Sequence, residues 1–307
     1  MSVAVVGAGA MGCLYGAALY RGGAEVVLVD VNAEHMAAIN ESGLELDTRR
    51  GTERLPLAAR RPEEMQQPVD LVLLFTKTFH TDAALAGVAA AIGPETHVLT
   101  LQNGLGNDEA VARHVARDKV IAGISTLPSD LAGPGRVRSH GEGGSQIYPA
   151  FGGDPAFAQE IADRLTAGGL PTTLAPDIQA AIWGKAIFNA TMNTLCALTR
   201  RTPGFLGAHE ESRALIHAAV EEGIAAARAC GVNVDGGKIH ALTQVSVTDH
   251  ADHEASMLQD VKAGRRTEVD AIAGAIVRAA AAKGVACPVL ETLWRLVKLE
   301  EAKLAES

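Results

Sequence analysis

The feature that most narrows the possible folds lies at the start of the chain. A short apolar run at residues 3–6 leads into Gly7, Ala8, Gly9, Ala10, Met11 and Gly12, and a helical pattern opens inside that turn. A second apolar run at 26–29 ends in Asp30, roughly 20 residues further on. A lone GxGxxG means little in a chain with 32 glycines. Strand, turn, helix and second strand in this order make it a dinucleotide-binding signature. The first glycine permits the sharp turn, the second clears space for a pyrophosphate, and the third lets the helix pack on the strand. The helix N-terminus then offers free N–H groups to the phosphates. A carboxylate at Asp30 suits the ribose hydroxyls of NADH and repels the 2′-phosphate of NADPH. Starting a turn ahead of Asn32 is its plainer alternative.

The same alternation continues along the first half of the chain. Apolar, β-branched runs at 71–75, 97–101 and 120–124 are separated by helical patterns such as 81–91 and 108–116. Strand and helix in alternation predict a parallel sheet wrapped on both faces. After Pro176 the pattern turns helical, at 178–198, 210–229, around 253–262, at 267–283 and near the C-terminus. The expected architecture is α/β: a Rossmann-type parallel-sheet domain over 1–176, followed by an all-α domain over 177–307.

Composition excludes several function classes. A formal net charge of -9 gives no basic field for nucleic acid or anionic lipid. No uncharged stretch approaches the roughly 20 apolar residues of a membrane span, and the short N-terminal apolar run lacks the form of a secretory leader. Cys13, Cys196, Cys230 and Cys287 are scattered without a CxxC pair, which points to reduced thiols and a cytoplasmic location. Asp249, His250, Asp252 and His253 form no complete ligand set of recognised spacing, so no metal is expected.

Candidate chemistry gathers at four places. Lys77 in LFTKTF and Asn103 in LQNGLG follow predicted strands, on the edge where open α/β sheets bind ligands. In WGKAIFNATMN, Lys185, Asn189 and Asn193 are four apart and drift only about 80° around a helix, so they share one face. The residues around them are apolar, and a buried lysine is costly unless a ligand or carboxylate compensates it. In SMLQDVKAGRRTEVD, one straight helix would hold Ser256 and Glu268 about 18 Å apart. Gly264 and a capping-box pattern at 267–270 suggest instead that a new helix begins there, with Glu268 in its first turn. A carboxylate answering the helix dipole is the plain alternative for Glu268.

Together these segments resemble the ketopantoate reductases (2-dehydropantoate 2-reductases) over essentially the whole chain. The resemblance rests on GAGAMG, TKTFHT, QNGLG, WGKAIFNATMN and SMLQDVKAGRRTEVD, the last two being the specific ones. It implies reduction of 2-dehydropantoate, a branched 2-keto acid, by a nicotinamide dinucleotide, with Lys185 as the catalytic proton donor to the carbonyl oxygen. Glu268 would orient the substrate, Ser256, Asn189 and Asn193 would hold its carboxylate and hydroxyl, and Lys77 and Asn103 would contact the cofactor near its nicotinamide end, where Asn103 would also bind the substrate. Relatives of this kind use NADPH and form homodimers through the helical domain; Asp30 departs from the family pattern and favours NADH. Two alternatives stay open: the same chemistry on another keto acid or an imine, and a silent dinucleotide-binding redox sensor. A sensor would not need Lys185 together with Glu268.

Overall fold

The structure, a computed structural model, describes residues 1–306. The chain divides into two compact units, one of residues 1–102 and 107–178, the other of 103–106 and 179–307.

The first unit is built on an eight-stranded sheet. Its strands are β1 (Ser2–Val6), β2 (Glu25–Val29), β5 (Ala58–Arg60), β6 (Leu71–Leu74), β7 (His97–Thr100), β8 (Val120–Ser125), β11 (Ser145–Pro149) and β12 (Thr172–Leu174). Their order is β12-β11-β8-β7-β6-β1-β2-β5. Every pair is parallel except β8 with β11. The run β5-β2-β1-β6-β7-β8 reproduces the doubly wound dinucleotide-binding order, and its reversal falls between β1 and β6.

The strands are apolar throughout because both sheet faces are covered. On one face Val3, Val5, Leu28, Leu71, Leu73 and Leu99 pack with α1 (Ala10–Arg21), α2 (Ala33–Ser42) and α5 (Ala156–Ala167). On the other, Ala4, Val6, Val72, Leu74, Val98 and Val120 pack with α3 (Thr81–Gly87) and α4 (Asn107–Val111). Both α3 and α4 are shorter than the helical patterns at 81–91 and 108–116, since 3-10 turns and bends finish those segments.

A second sheet was not foreseen from the sequence. It has β3 (Leu44–Thr48), β4 (Gly51–Leu55), β9 (Asp130–Gly133) and β10 (Arg136–Ser139), in the order β4-β3-β10-β9. Leu44, Leu46, Leu55 and Val137 feed its inner face into the core under α1 and α2. The intervening side chains are polar, and Arg54 and Arg136 both pair with Glu45 across the strands. Short strands with one wet face and charged ladders carry too few apolar residues to stand out from loop composition.

The second unit is all helical: α6 (Ile178–Thr199), α7 (Pro203–Ala208), α8 (Glu210–Ala229), α9 (Gly236–Thr248), α10 (Ser256–Lys262), α11 (Ala273–Ala281) and α12 (Pro288–Glu306). Its core is centred on α6, where Trp183, Ile187, Ala190, Met192, Leu195 and Cys196 are buried against α8, α11 and α12. Glu222 of α8 caps α12 by accepting from the N–H groups of Val289 and Leu290, both at 2.9 Å. Among the described residues no helix is long and apolar enough to cross a membrane.

Candidate functional site

The glycine turn leaves β1 and enters α1 beside β6. Gly7 has φ +91°, and a Cβ there would stand 2.6 Å from the Thr76 backbone nitrogen, so only glycine fits. A Cβ on Gly12 would stand 2.2 Å from the Gly7 carbonyl oxygen. Gly9 differs: among the described residues nothing lies within 4 Å of the place its Cβ would take. Two glycines are therefore demanded by the protein's own packing, while the third faces open space. Among the described residues no side chain caps the start of α1 and no acidic residue occupies its first turn. Exposed N–H groups, a positive helix end and a bare glycine fit a dinucleotide pyrophosphate.

A chain of three donors holds this turn from below. Gly135 N–H donates to His35 Nδ1 at 2.9 Å, which places the His35 proton on Nε2. Nε2 faces Cys13 Sγ at 3.5 Å, and the Cys13 thiol donates to the Ala8 carbonyl at 3.1 Å. Burial, and then the Asp30 charge, push the Cys13 thiol upward, so it stays protonated and able to donate. Burial likewise holds His35 below its ordinary value and keeps it neutral. The bond from Cys13 to Ala8 is not legible in the sequence, where Cys13 is only one of four scattered thiols.

Asp30 follows β2, and its Oδ1 accepts from Asn32 N–H at 3.0 Å. The turn-forming role is thus realised, with the carboxylate at the end of the second strand. Arg61 donates to the Val31 carbonyl at 2.8 Å and pairs with Glu63 at 3.1 Å. Lys77 precedes the 3-10 turn of Thr78–His80, after β6. That turn is tied to the end of β7 by a residue sequence reading passed over: Gln102 Nε2 donates to the Thr76 carbonyl at 2.7 Å, while its Oε1 accepts from Thr100 at 3.0 Å.

In the helical unit, α6 carries Lys185, Asn189 and Asn193 among its apolar residues, both asparagines being buried. Lys185 is half-buried, and loss of hydration pushes its ammonium down to about 8, against the pull of Glu268, whose charge raises it. Asn193 Nδ2 lies 3.4 Å from Ser256 Oγ at the start of α10. The structure thus brings Lys185 under the influence of Glu268, and Asn193 beside Ser256.

Glu268 is not in the first turn of a helix, as the capping-box pattern suggested. It is buried in a bend, and α11 begins only at Ala273. The expected box fails because its members bond elsewhere. Thr267 donates its N–H and hydroxyl to Glu301 Oε1 at 2.8 and 2.7 Å. Asp270 accepts from Trp294 Nε1 at 2.8 Å and Lys298 Nζ at 2.9 Å, and Lys298 also reaches Glu301 at 2.6 Å. The middle turns of α12 therefore grip the bend on both sides of Glu268. Nothing local in the sequence signals partners about 30 residues away. The Asn103 segment joins the same bend: Leu105 N–H donates to the Ala271 carbonyl at 2.9 Å, and a Cβ on Gly104 would stand 2.2 Å from that oxygen. Residues 103–106 group with the helical unit.

Comparison with known proteins identifies the family. The family model described as ketopantoate reductase PanE/ApbA matches residues 3–151, and that of the ketopantoate reductase PanE/ApbA C terminal matches 177–301. A 2-dehydropantoate 2-reductase of Halobacterium salinarum is 35% identical over 306 residues, covering 98% of this chain and 99% of the relative. One of Streptococcus pyogenes serotype M3 is 32% identical over 305 residues, 99% of each chain. Among solved structures, D-mandelate dehydrogenase with NADH and anilino(oxo)acetate superposes with a TM-score of 0.94 at 32% identity, covering 99% of this chain and 100% of that one. The chain belongs to the ketopantoate reductase family.

Proposed function

We propose that this protein reduces a branched 2-keto acid with a nicotinamide dinucleotide, its substrate being 2-dehydropantoate and its product pantoate. The observation that carries the reading is Lys185, an ammonium pushed down to about 8 by burial while a buried carboxylate, Glu268, pulls the other way. A proton donor with a value near neutrality can give up its proton as the carbonyl oxygen gains charge, and its positive charge stabilises that oxygen meanwhile. Glu268 accepts from a substrate hydroxyl and orients the keto acid. Asn189, Asn193 and Ser256 hold its carboxylate and hydroxyl. When bound, the dinucleotide supplies the hydride.

Gly7 to Gly12 cradle the pyrophosphate, with Ala8, Ala10 and Met11 lending backbone, and Asp30 accepts from the ribose hydroxyls. Lys77 and Asn103 serve the nicotinamide end. The charge of Asp30 makes NADH the preferred cofactor, since it would repel the 2′-phosphate of NADPH. Free thiols at all four cysteines suit a reducing cytoplasm. Exposed Leu242, Val245, Leu296 and Leu299 on α9 and α12 offer apolar surface for a homodimer.

A second reading keeps the chemistry and changes the acid. It is favoured by the likeness to D-mandelate dehydrogenase; removing hydride and proton from the carbinol of mandelate gives phenylglyoxylate, an aromatic 2-keto acid. The deciding experiment follows absorbance of the reduced cofactor with 2-dehydropantoate, phenylglyoxylate and aliphatic branched keto acids, each with NADH and NADPH. The highest kcat/KM is expected for 2-dehydropantoate with NADH, and Asp30→Ser should narrow the gap to NADPH. A preference for phenylglyoxylate transfers the protein to the second reading. No turnover of any acid, with the dinucleotide still bound, would leave the redox sensor.

A further inference from the structure

Three potential metal-ligating side chains converge on the helical unit, outside everything assigned above. His217 and Glu221 lie one turn apart on α8, and His240 projects from α9. One ligand atom of each lies within 4.8 Å of the other two. The two imidazoles stack, with ring centroids 5.2 Å apart and planes at 27°. His240 Nε2 is 2.7 Å from Glu221 Oε1, a contact that holds the Glu221 carboxyl below its ordinary range, with His217 and Arg228 adding to the effect.

We propose that His217, Glu221 and His240 form a binding site for a divalent transition-metal ion of the zinc class, with water completing the coordination. Two imidazoles and one carboxylate are a recognised zinc donor set, and nitrogen donors select against Mg2+ and Ca2+. Bonds of about 2.1 Å in a tetrahedron set the donors about 3.4 Å apart, and since all three lie within 4.8 Å of one another no gap must close by more than roughly 1.4 Å. His217 and Glu221 are exposed and His240 half-buried, leaving the side chains room to turn by that much. A cation replaces the His240 to Glu221 hydrogen bond with two bonds of its own and ties α8 to α9. The charge of Arg228 also acts on Glu221, and like charge opposes a bound cation. The site leaves no local mark in the sequence, because its third ligand comes from a different helix, unlike the neighbouring His250 and His253.

The test uses the full-length protein stripped with chelator. Co2+ titration should show the visible bands of a four-coordinate ion at one equivalent, displaced by Zn2+ and not by Mg2+. His217→Ala and His240→Ala should each weaken Zn2+ binding at least tenfold in calorimetry, with circular dichroism and metal-free reductase activity unchanged. The Tm rise caused by Zn2+ in the wild type should vanish in both variants. Absence of one-equivalent binding, or undiminished binding in the double variant, overturns the assignment; the latter would place the ion elsewhere.

Discussion

Replacing Lys185 by Met keeps all but one atom of the side chain's length and removes its charge, which separates what the ammonium does for chemistry from what it costs the fold. The folded protein binds this proton more weakly than the unfolded chain does, at about 8 against an ordinary 10.5. Between those values the unfolded state holds more protons, so wild-type stability rises with pH across that window and carries the full cost below it. At about 1.4 kcal/mol per pH unit the cost is about 3 kcal/mol near pH 7. Lys185→Met should recover it, and the advantage should shrink by roughly 2 kcal/mol by about pH 9.5. Any gain from methionine packing is independent of pH and does not confuse the trend. Both tryptophans, Trp183 and Trp294, belong to the helical unit, so urea unfolding followed by tryptophan fluorescence reports the unit that contains the substitution. The same variant should lose nearly all kcat, and wild-type reduction should slow as pH rises through about 8, when the donor loses its proton. A stability difference that stays constant from pH 7 to about pH 9.5 would refute the reasoning.

Two further outcomes follow from the packing. Gly9→Val should leave Tm nearly unchanged and abolish dinucleotide binding, measured by calorimetry, because its side chain enters open space; Gly12→Val should lower both, because its Cβ strikes the Gly7 carbonyl. Glu301→Ala should raise KM for the keto acid and leave cofactor Kd unchanged, since it loosens the bend that holds Glu268, and it should cost about 1 to 3 kcal/mol of stability. Partial rescue by Glu301→Gln, which still accepts from Thr267, distinguishes positioning of the bend from loss of charge.

The parallel sheet, the glycine turn and the polar stripe of α6 were legible in the sequence because each is written in local periodicity. Apolar runs buried on both faces, glycines at fixed offsets and amides four apart need no distant partner to be recognised. The four-stranded sheet, the bend at Glu268, the thiol beneath Ala8 and the His217, Glu221 and His240 cluster were decided by tertiary structure alone. Each depends on groups far apart in sequence: Glu45 with Arg136, Thr267 with Glu301, Cys13 with His35, Glu221 with His240. At 267–270 the local pattern pointed to a helix start, and bonds from α12 drew Thr267 and Asp270 away from it. A local preference worth about 1 kcal/mol gives way when several buried hydrogen bonds compete for the same groups.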